Sequence, residues 1–403
     1  MAYYENYLTR GYAGGLGTET FYAPCHPSIP EYLALISAET NQCGSDYYPG
    51  THSIASGGGT DDSYQDVTLS DTLLNNSVYN SGWQTFTWAN YAENLPTNAC
   101  KSPQSYDTIN ASGTTGTNLF FSKHVPFLYE SDVLTNPTFC KSHILSLQPG
   151  KFFTYGPSFQ QAVATNNMPS LSFISPNACS DGHDICGDGS SPSNYGPNAT
   201  CTTAAGGHAS ACSVSTKASQ AVAYQIDPWL KGFMTALLNC SGPYGGTGSA
   251  NSNCKTEIAH TVFFVLYDES KASDYSGIPL KSITGDTKSN ENSVYCKPHE
   301  TRAVCGGNVY EVTVFGTPSY AANHTAANKW KFYATPDSSY SILASIEWIF
   351  QLASFQTASG EPGMSYFSNP GWLDTVWKTD NLALMGNHAT SGADEFMFSQ
   401  NGY

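Results

Sequence analysis

Short apolar runs alternate with amphipathic stretches along this chain. Leu171 to Ser175 (LSFIS), Thr261 to Tyr267 (TVFFVLY) and Val309 to Phe315 (VYEVTVF) are rich in β-branched and aromatic residues, which favours strands. The first two read as buried central strands. Helical spacing is clearest from Tyr340 to Leu352, where Ile342, Ile346, Ile349 and Phe350 mark one apolar face. A second helix is expected from Pro228 to Leu238, with Asp227 as N-cap and Pro228 at the first helical position. A third begins near Ser28, carries Pro30 in its first turn and continues through EYLALIS. Helices set between apolar strands predict an α/β fold with a largely parallel central sheet flanked by helices. Sites in such folds lie at the carboxyl ends of strands.

Other stretches break this pattern. Cys179 to Cys254 holds six of the 12 cysteines and many Gly, Ser and Thr residues, and Gly44 to Thr60 is a Gly/Ser loop. The expected organisation is a single domain over residues 1–403, with 185–254 as a disulfide-rich insertion and 353–403 as a C-terminal extension. Neither internal repeats nor heptads are present.

Composition adds the setting. Hydrophobic residues make up 40% of the 403, with 7 Trp, 26 Tyr and 20 Phe, enough for a large core. Charged residues are only 12%, so neutral polar side chains must carry the surface. An acidic medium or a glycosylated surface would each account for that. Asn75, Asn110, Asn198, Asn239 and Asn323 each open an Asn-x-Ser/Thr triplet. The net charge of -16 excludes a nucleic-acid backbone as partner, because that contact depends on Lys and Arg clusters. The even cysteine count, without a CxxC pair, points to disulfides and hence to an extracellular, secreted protein. No run reaches the roughly 18 apolar residues of a membrane span. The first residues lack a charged-then-apolar signal, so a removed leader or a start further upstream is expected.

Four clusters can carry chemistry. Cys25-His26-Pro27-Ser28 leads into a helix, whose first N–H groups favour anions, although a plain helix start reads the same way. Asn177, Asp181, His183 and Asp184 follow the LSFIS strand and supply carboxylate and imidazole donors for a divalent metal, or form an Asx turn. Asp268 and Glu269 follow the TVFFVLY strand, where adjacent carboxylates are costly to bury without a cation. Lys123 and His124 stand beside Phe120, Phe121 and Phe127, as an anion contact or as a core edge. A GxSxG elbow, a P-loop, GxGxxG and HExxH are all missing, which removes those enzyme classes.

In this order the clusters resemble the phosphoesterase family of the alkaline-phosphatase-like superfamily, which includes acid phosphatases and phospholipases C. The resemblance runs through HPSIPEYLAL (His26 to Leu35), WQTFTWANYAENLP (Trp83 to Pro96), KHVPF (Lys123 to Phe127) and the segment from Pro169 to Asp184. It continues through DPWL (Asp227 to Leu230), Asp268-Glu269 and the helix from Tyr340 to Leu352. It implies an alkaline-phosphatase-like fold and a metal-dependent phosphoester hydrolase, an acid phosphatase or phosphodiesterase. Asp181 and His183 would match ligands of one metal position and Asp268 with Glu269 those of another, the identity of the divalent ion being open. His26, His124 and Asp184 would line the phosphate pocket.

The chain also departs from the family pattern. Cys25 occupies the place of the usual Thr or Ser nucleophile. A thiolate there could attack phosphorus, Ser28 could substitute for it, or Cys25 could be bridged to Cys43. Sulfatases convert such a cysteine within C-x-P-x-R, but Ile29 stands at the Arg position. The family's opening Glu-Asn pair is expected upstream, since Glu5-Asn6 lies too close to His26, and Ser339 replaces a common His. These departures define the alternative: a structural protein of a cell-surface coat or extracellular filament that keeps the scaffold and self-assembles through Tyr-rich neutral surfaces.

Overall fold

The structure is a computed structural model. It describes residues 16–18, 21–23, 28–37, 69–74, 86–100, 120–147, 157–177, 180–181, 200–204, 208–213, 218–259, 261–266, 268, 307–309, 312–316, 331–333, 337–338, 342–343, 346 and 350. In chain order these form β1 (Leu16–Thr18), β2 (Phe21–Ala23), α1 (Ser28–Ser37), α2 (Leu69–Leu74) and β3 (Trp88–Ala92). Two 3-10 turns, Ser122–His124 and Pro126–Tyr129, precede α3 (Ser131–Thr135), α4 (Pro137–His143), β4 (Ile144–Ser146), α5 (Phe159–Thr165) and β5 (Leu171–Ser175). Then come β6 (Thr200–Ala204), β7 (His208–Ser213), α6 (Ala218–Leu238), α7 (Gly242–Gly245) and α8 (Ser249–Ala259). The remaining strands are β8 (Val262–Val265), β9 (Gly307–Val309), β10 (Val312–Gly316), β11 (Lys331–Tyr333) and β12 (Asp337–Ser338).

The chain divides into two compact units. The first comprises Met1–Gly11, Tyr48–Ser63 and Trp88–Ala259; the second comprises Tyr12–Tyr47, Tyr64–Thr87 and His260–Tyr403.

In the first unit β3 lies between β4 and β5, and both ladders are parallel. Every residue of β3 is buried, as a strand covered on both faces must be. Trp88 on one face stacks against Phe127 at 4.5 Å and 24°. Tyr91 on the other meets Phe159 of α5 edge-on at 5.1 Å. Behind Phe159 stand Phe233 of α6, at 5.8 Å, and Tyr244 of α7, at 5.7 Å. Helices therefore cover both faces, giving the three layers of an α/β domain. Burial and the nearby Glu257 carboxylate push the Tyr91 hydroxyl pKa well upward, so it stays neutral beneath α5 and α8.

Local sequence explains the helix ends. Ser158 caps α5 in a reciprocal capping box with Gln161, the two bonds measuring 3.3 and 2.9 Å. Asn166, at φ 55°, closes the same helix in the left-handed region. The Asn136 side chain accepts from Phe139 N at 3.1 Å, and Pro137 opens α4. Gly245 is required in α7, because a Cβ there would run into the Cys240 carbonyl.

Two disulfides brace this unit, Cys100–Cys140 and Cys240–Cys254, and no free cysteine occurs among the described residues. Closing loops with sequence separations of 40 and 14 is worth roughly 4 and 3 kcal/mol of lost unfolded-state entropy. The pairing of Cys25 lies outside the described residues.

The second unit carries the four-stranded sheet β11-β1-β10-β8 and the three-stranded sheet β12-β2-β9. Here β1–β10, β10–β8 and β2–β9 are antiparallel, while β1–β11 and β2–β12 are parallel. Of the sheets described, only β4-β3-β5 is wholly parallel, so the largely parallel sheet expected from sequence holds there alone. α1 buries Ile29, Leu33, Leu35 and Ile36, and in the same unit Phe86 meets Phe350 edge-on at 4.7 Å.

Three expectations need correction. β5 and β8 lie at the edges of their described sheets, because WANYA, without a β-branched residue, takes the central place in the parallel one. The run from Val309 to Phe315 contributes to two strands, β9 and β10, in different sheets. α6 starts at Ala218, so Asp227 and Pro228 sit inside it and not at its N-terminus. Pro228 removes one donor to the carbonyl of residue 224, a local cost outweighed by the apolar face that α6 packs through Trp229, Leu230 and Met234.

One titratable side chain belongs to the packing. His143 at the end of α4 stacks on Trp88 at 4.5 Å and on Phe139 at 4.2 Å, with Nδ1 3.0 Å from the Phe139 carbonyl. Burial lowers its pKa below the usual 6.5, with the carbonyl contact opposing that shift. The fold thus prefers the neutral ring. Its contribution is complete above 6.5 and is lost as pH falls through the lowered folded value. Between pH 7 and 5 the melting temperature of wild type should fall more than that of His143→Phe, which keeps a ring on Trp88 and cannot titrate. Parallel melting curves for the two would contradict this.

Candidate functional site

The carboxyl ends of β3 and β5 gather the polar groups of the first unit. The parallel register sets Ala92 opposite Ser175, so the chain leaves both strands at one level. Past that level the pairing continues, with Glu93 N donating to Ser175 O at 2.9 Å. Asn90, buried inside β3, donates from Nδ2 to Ser175 Oγ at 2.9 Å. Ser175 Oγ in turn donates to the His124 carbonyl at 2.5 Å. This relay fixes the 3-10 turn carrying His124 to the end of the sheet.

On the opposite face of β3 lies Glu93, which is 1% exposed. Its Oε2 accepts from the Asn177 backbone N–H at 3.0 Å, and its Oε1 accepts from the Trp229 indole N–H at 3.4 Å. Trp229 is held in turn by a nearly parallel stack on Phe233, 5.3 Å away at 4°. Asn177 Nδ2 donates to Asn94 Oδ1 at 2.7 Å, and Asn94 takes the left-handed conformation at φ 56° that Asn tolerates. Ser180 N then donates to Asn177 O at 2.8 Å, which leads the chain to Asp181.

Asp181 meets His124 here. The Asp181 Oδ2 and His124 Nδ1 atoms are 3.6 Å apart, and both side chains are 5% exposed. They form an ion pair when the imidazole is protonated. Phe121 packs edge-on against the His124 ring at 5.3 Å, and Lys123 places its Nζ 5.6 Å from the Phe121 ring centre.

The remaining predicted residues are distributed as follows. Ser28 is buried at the first position of α1, and Asp268 is half-buried three residues beyond β8; both belong to the second unit. Cys25, His26, His183, Asp184 and Glu269 lie outside the described residues. Among the described residues no three His, Cys, Asp or Glu side chains converge as a metal centre would require. By side-chain chemistry Asp181 with His183, and Asp268 with Glu269, are each a donor pair of the kind a divalent cation takes. Glu93 and Trp229 are the residues that sequence reasoning did not single out. AENLP places a Glu-Asn pair directly after the central strand, but its burial depends on partners 84 and 136 residues away, which no local pattern reveals.

A layered α/β unit with Asp, His, Asn and Glu side chains at the carboxyl ends of parallel strands is the architecture of a ligand-binding or catalytic α/β protein. Comparison with known proteins is more specific. The Phosphoesterase family model matches residues 5–191, which include β3, β5, His124 and Asp181. An acid phosphatase of Aspergillus fumigatus is 27% identical over 170 residues, covering 42% of this chain. The matched stretch spans 30% of that relative's own length. Over these stretches the chain is similar to phosphoesterase-family proteins.

Proposed function

We propose that the protein is an extracellular, metal-dependent phosphoester hydrolase acting as an acid phosphatase or phosphodiesterase. The observation that carries this reading is the meeting of His124 and Asp181, 3.6 Å apart, at the carboxyl ends of parallel strands within the family match. Asp181 with His183, and Asp268 with Glu269, would hold divalent cations. A bound cation supplies charge to polarise the phosphoryl oxygens. His124 would donate to a phosphoryl oxygen, and His26 and Asp184 would complete the pocket. The backbone N–H groups at the start of α1, by Ser28, suit an anion, and Cys25 or Ser28 would be the nucleophile. Support for an extracellular location comes from the Cys100–Cys140 and Cys240–Cys254 bridges and from Asn239, an exposed Asn of an Asn-x-Ser triplet.

The test is hydrolysis of p-nitrophenyl phosphate at acidic pH. Turnover should disappear on chelation and return when divalent metal is added. Absence of turnover on phosphomonoesters, phosphodiesters and phospholipids by metal-supplemented protein would sink the reading.

A further inference from the structure

Resting on the phosphoesterase reading, we propose that Glu93 is a positioning residue whose carboxylate holds the Asn177–Asp181 turn and so sets where Asp181 stands at the phosphoryl site. A carboxylate that is 1% exposed is costly to bury and must be met by donors. Glu93 receives the Asn177 N–H at 3.0 Å and the Trp229 indole N–H at 3.4 Å. Its own N–H donates to Ser175 O at 2.9 Å. One residue thus grips the exit of β5 at two successive points, through its backbone and through its side chain. From Asn177 the grip passes to Ser180 through a 2.8 Å backbone bond, and Asp181 is the next residue.

A stabilising role alone explains this arrangement poorly. An apolar residue of similar volume would fill the same space without the desolvation cost of a carboxylate, so buried charge is a weak source of stability. What a carboxylate adds is direction, because each of its oxygens accepts along fixed lone-pair axes. The Trp229 end is fixed as well, since that ring stacks on Phe233 one helical turn later in α6. The turn leading to Asp181 is therefore tied through Glu93 to both the central strand and the covering helix.

The test compares full-length wild type with Glu93→Gln, Glu93→Ala and Trp229→Phe. Gln keeps one oxygen that can accept from one donor but presents an amide N–H₂ to the other. Two readouts are taken at a temperature well below unfolding: hydrogen exchange across residues 175–182, and kcat and KM for p-nitrophenyl phosphate. In Glu93→Gln, exchange at Asn177 and Ser180 should quicken about 10- to 100-fold, the loss of one bond to a charged acceptor. The kcat should fall by a similar factor with KM within about threefold, the pattern of a misplaced group and not of lost substrate binding. Glu93→Ala should exceed Glu93→Gln in both respects, and Trp229→Phe should fall below it. If Glu93→Ala does not fold, the other two variants decide.

Unchanged exchange in residues 175–182 of both Glu93→Gln and Trp229→Phe would overturn the proposal. So would an equal rise across α5 and α8, which would make Glu93 a general stability residue. A wild type without turnover would defeat the phosphoesterase reading alone, because the exchange pattern still judges whether Glu93 holds the turn.

Discussion

Asp181→Asn should lower p-nitrophenyl phosphate turnover by about 10²- to 10³-fold, the loss typical when one electrostatic partner of the transferring group is removed. The replacement keeps the side-chain volume and planar shape, so the space beside His124 stays filled. It removes the negative charge that pairs with a protonated imidazole and that would bind a cation. A chemical effect without a folding effect is therefore expected, with Tm moving by less than about 5 °C. Adding excess divalent metal should recover only part of the activity, because the carboxylate charge that would hold the cation beside His183 is gone. The comparison that matters is with His124→Asn. If both residues serve one phosphoryl group, the double variant should lose far less than the product of the two single losses, since residues acting as a unit are strongly non-additive. Near-wild-type turnover in Asp181→Asn would remove the 124–181 meeting point from the chemistry.

How much of this was legible in the sequence depends on whether the information is local. α1 is found at Ser28–Ser37, where proline, a first-turn Glu31 and the apolar spacing of EYLALIS all act within one helix. β5 occupies the LSFIS run, and β8 lies within TVFFVLY, for the same reason. β3 is not legible in the sequence, because two of its five residues are Ala and one is Asn, which offer no strand signal of their own. Its strand character comes from pairing on both edges and burial on both faces, which are tertiary facts. α6 starts ten residues before the Pro228 that its sequence offers as a first helical position, because Asp227-Pro228 mimics a helix start that packing overrides. The site divides in the same manner. Asp and His residues close behind an apolar run marked Asp181, and KHVPF marked His124. Glu93 could not be marked so, because its partners Asn177 and Trp229 are 84 and 136 residues away. Nothing in AENLP alone distinguishes a buried anchor from a solvated turn.

Trp88→Ala should cost the first unit about 3–5 kcal/mol, the usual range for deleting a fully buried ring. Trp88 is 2% exposed and opens β3, the strand on which both parallel ladders depend. It is covered by Phe127 at 4.5 Å, His143 at 4.5 Å and Phe139 at 6.2 Å. The ring is thus enclosed by a 3-10 turn and by α4, whose Cys140 is tied to Cys100, so the surroundings have little freedom to collapse into the space. Trp88→Phe separates the ring's packing from its polar atom. Among the described residues Trp88 Nε1 has no hydrogen-bond partner, an arrangement that costs about 1–3 kcal/mol of uncompensated desolvation. Phe would lose part of the stack but remove that buried donor, so the two changes offset and the net cost should stay below about 1.5 kcal/mol. Denaturant unfolding with the disulfides intact measures both variants, provided the slope is unchanged between them. Equal losses for Phe and Ala would mean that the indole N–H finds a partner in solution, and a loss below about 1 kcal/mol for Ala would mean that β3 is not the strand around which this unit packs.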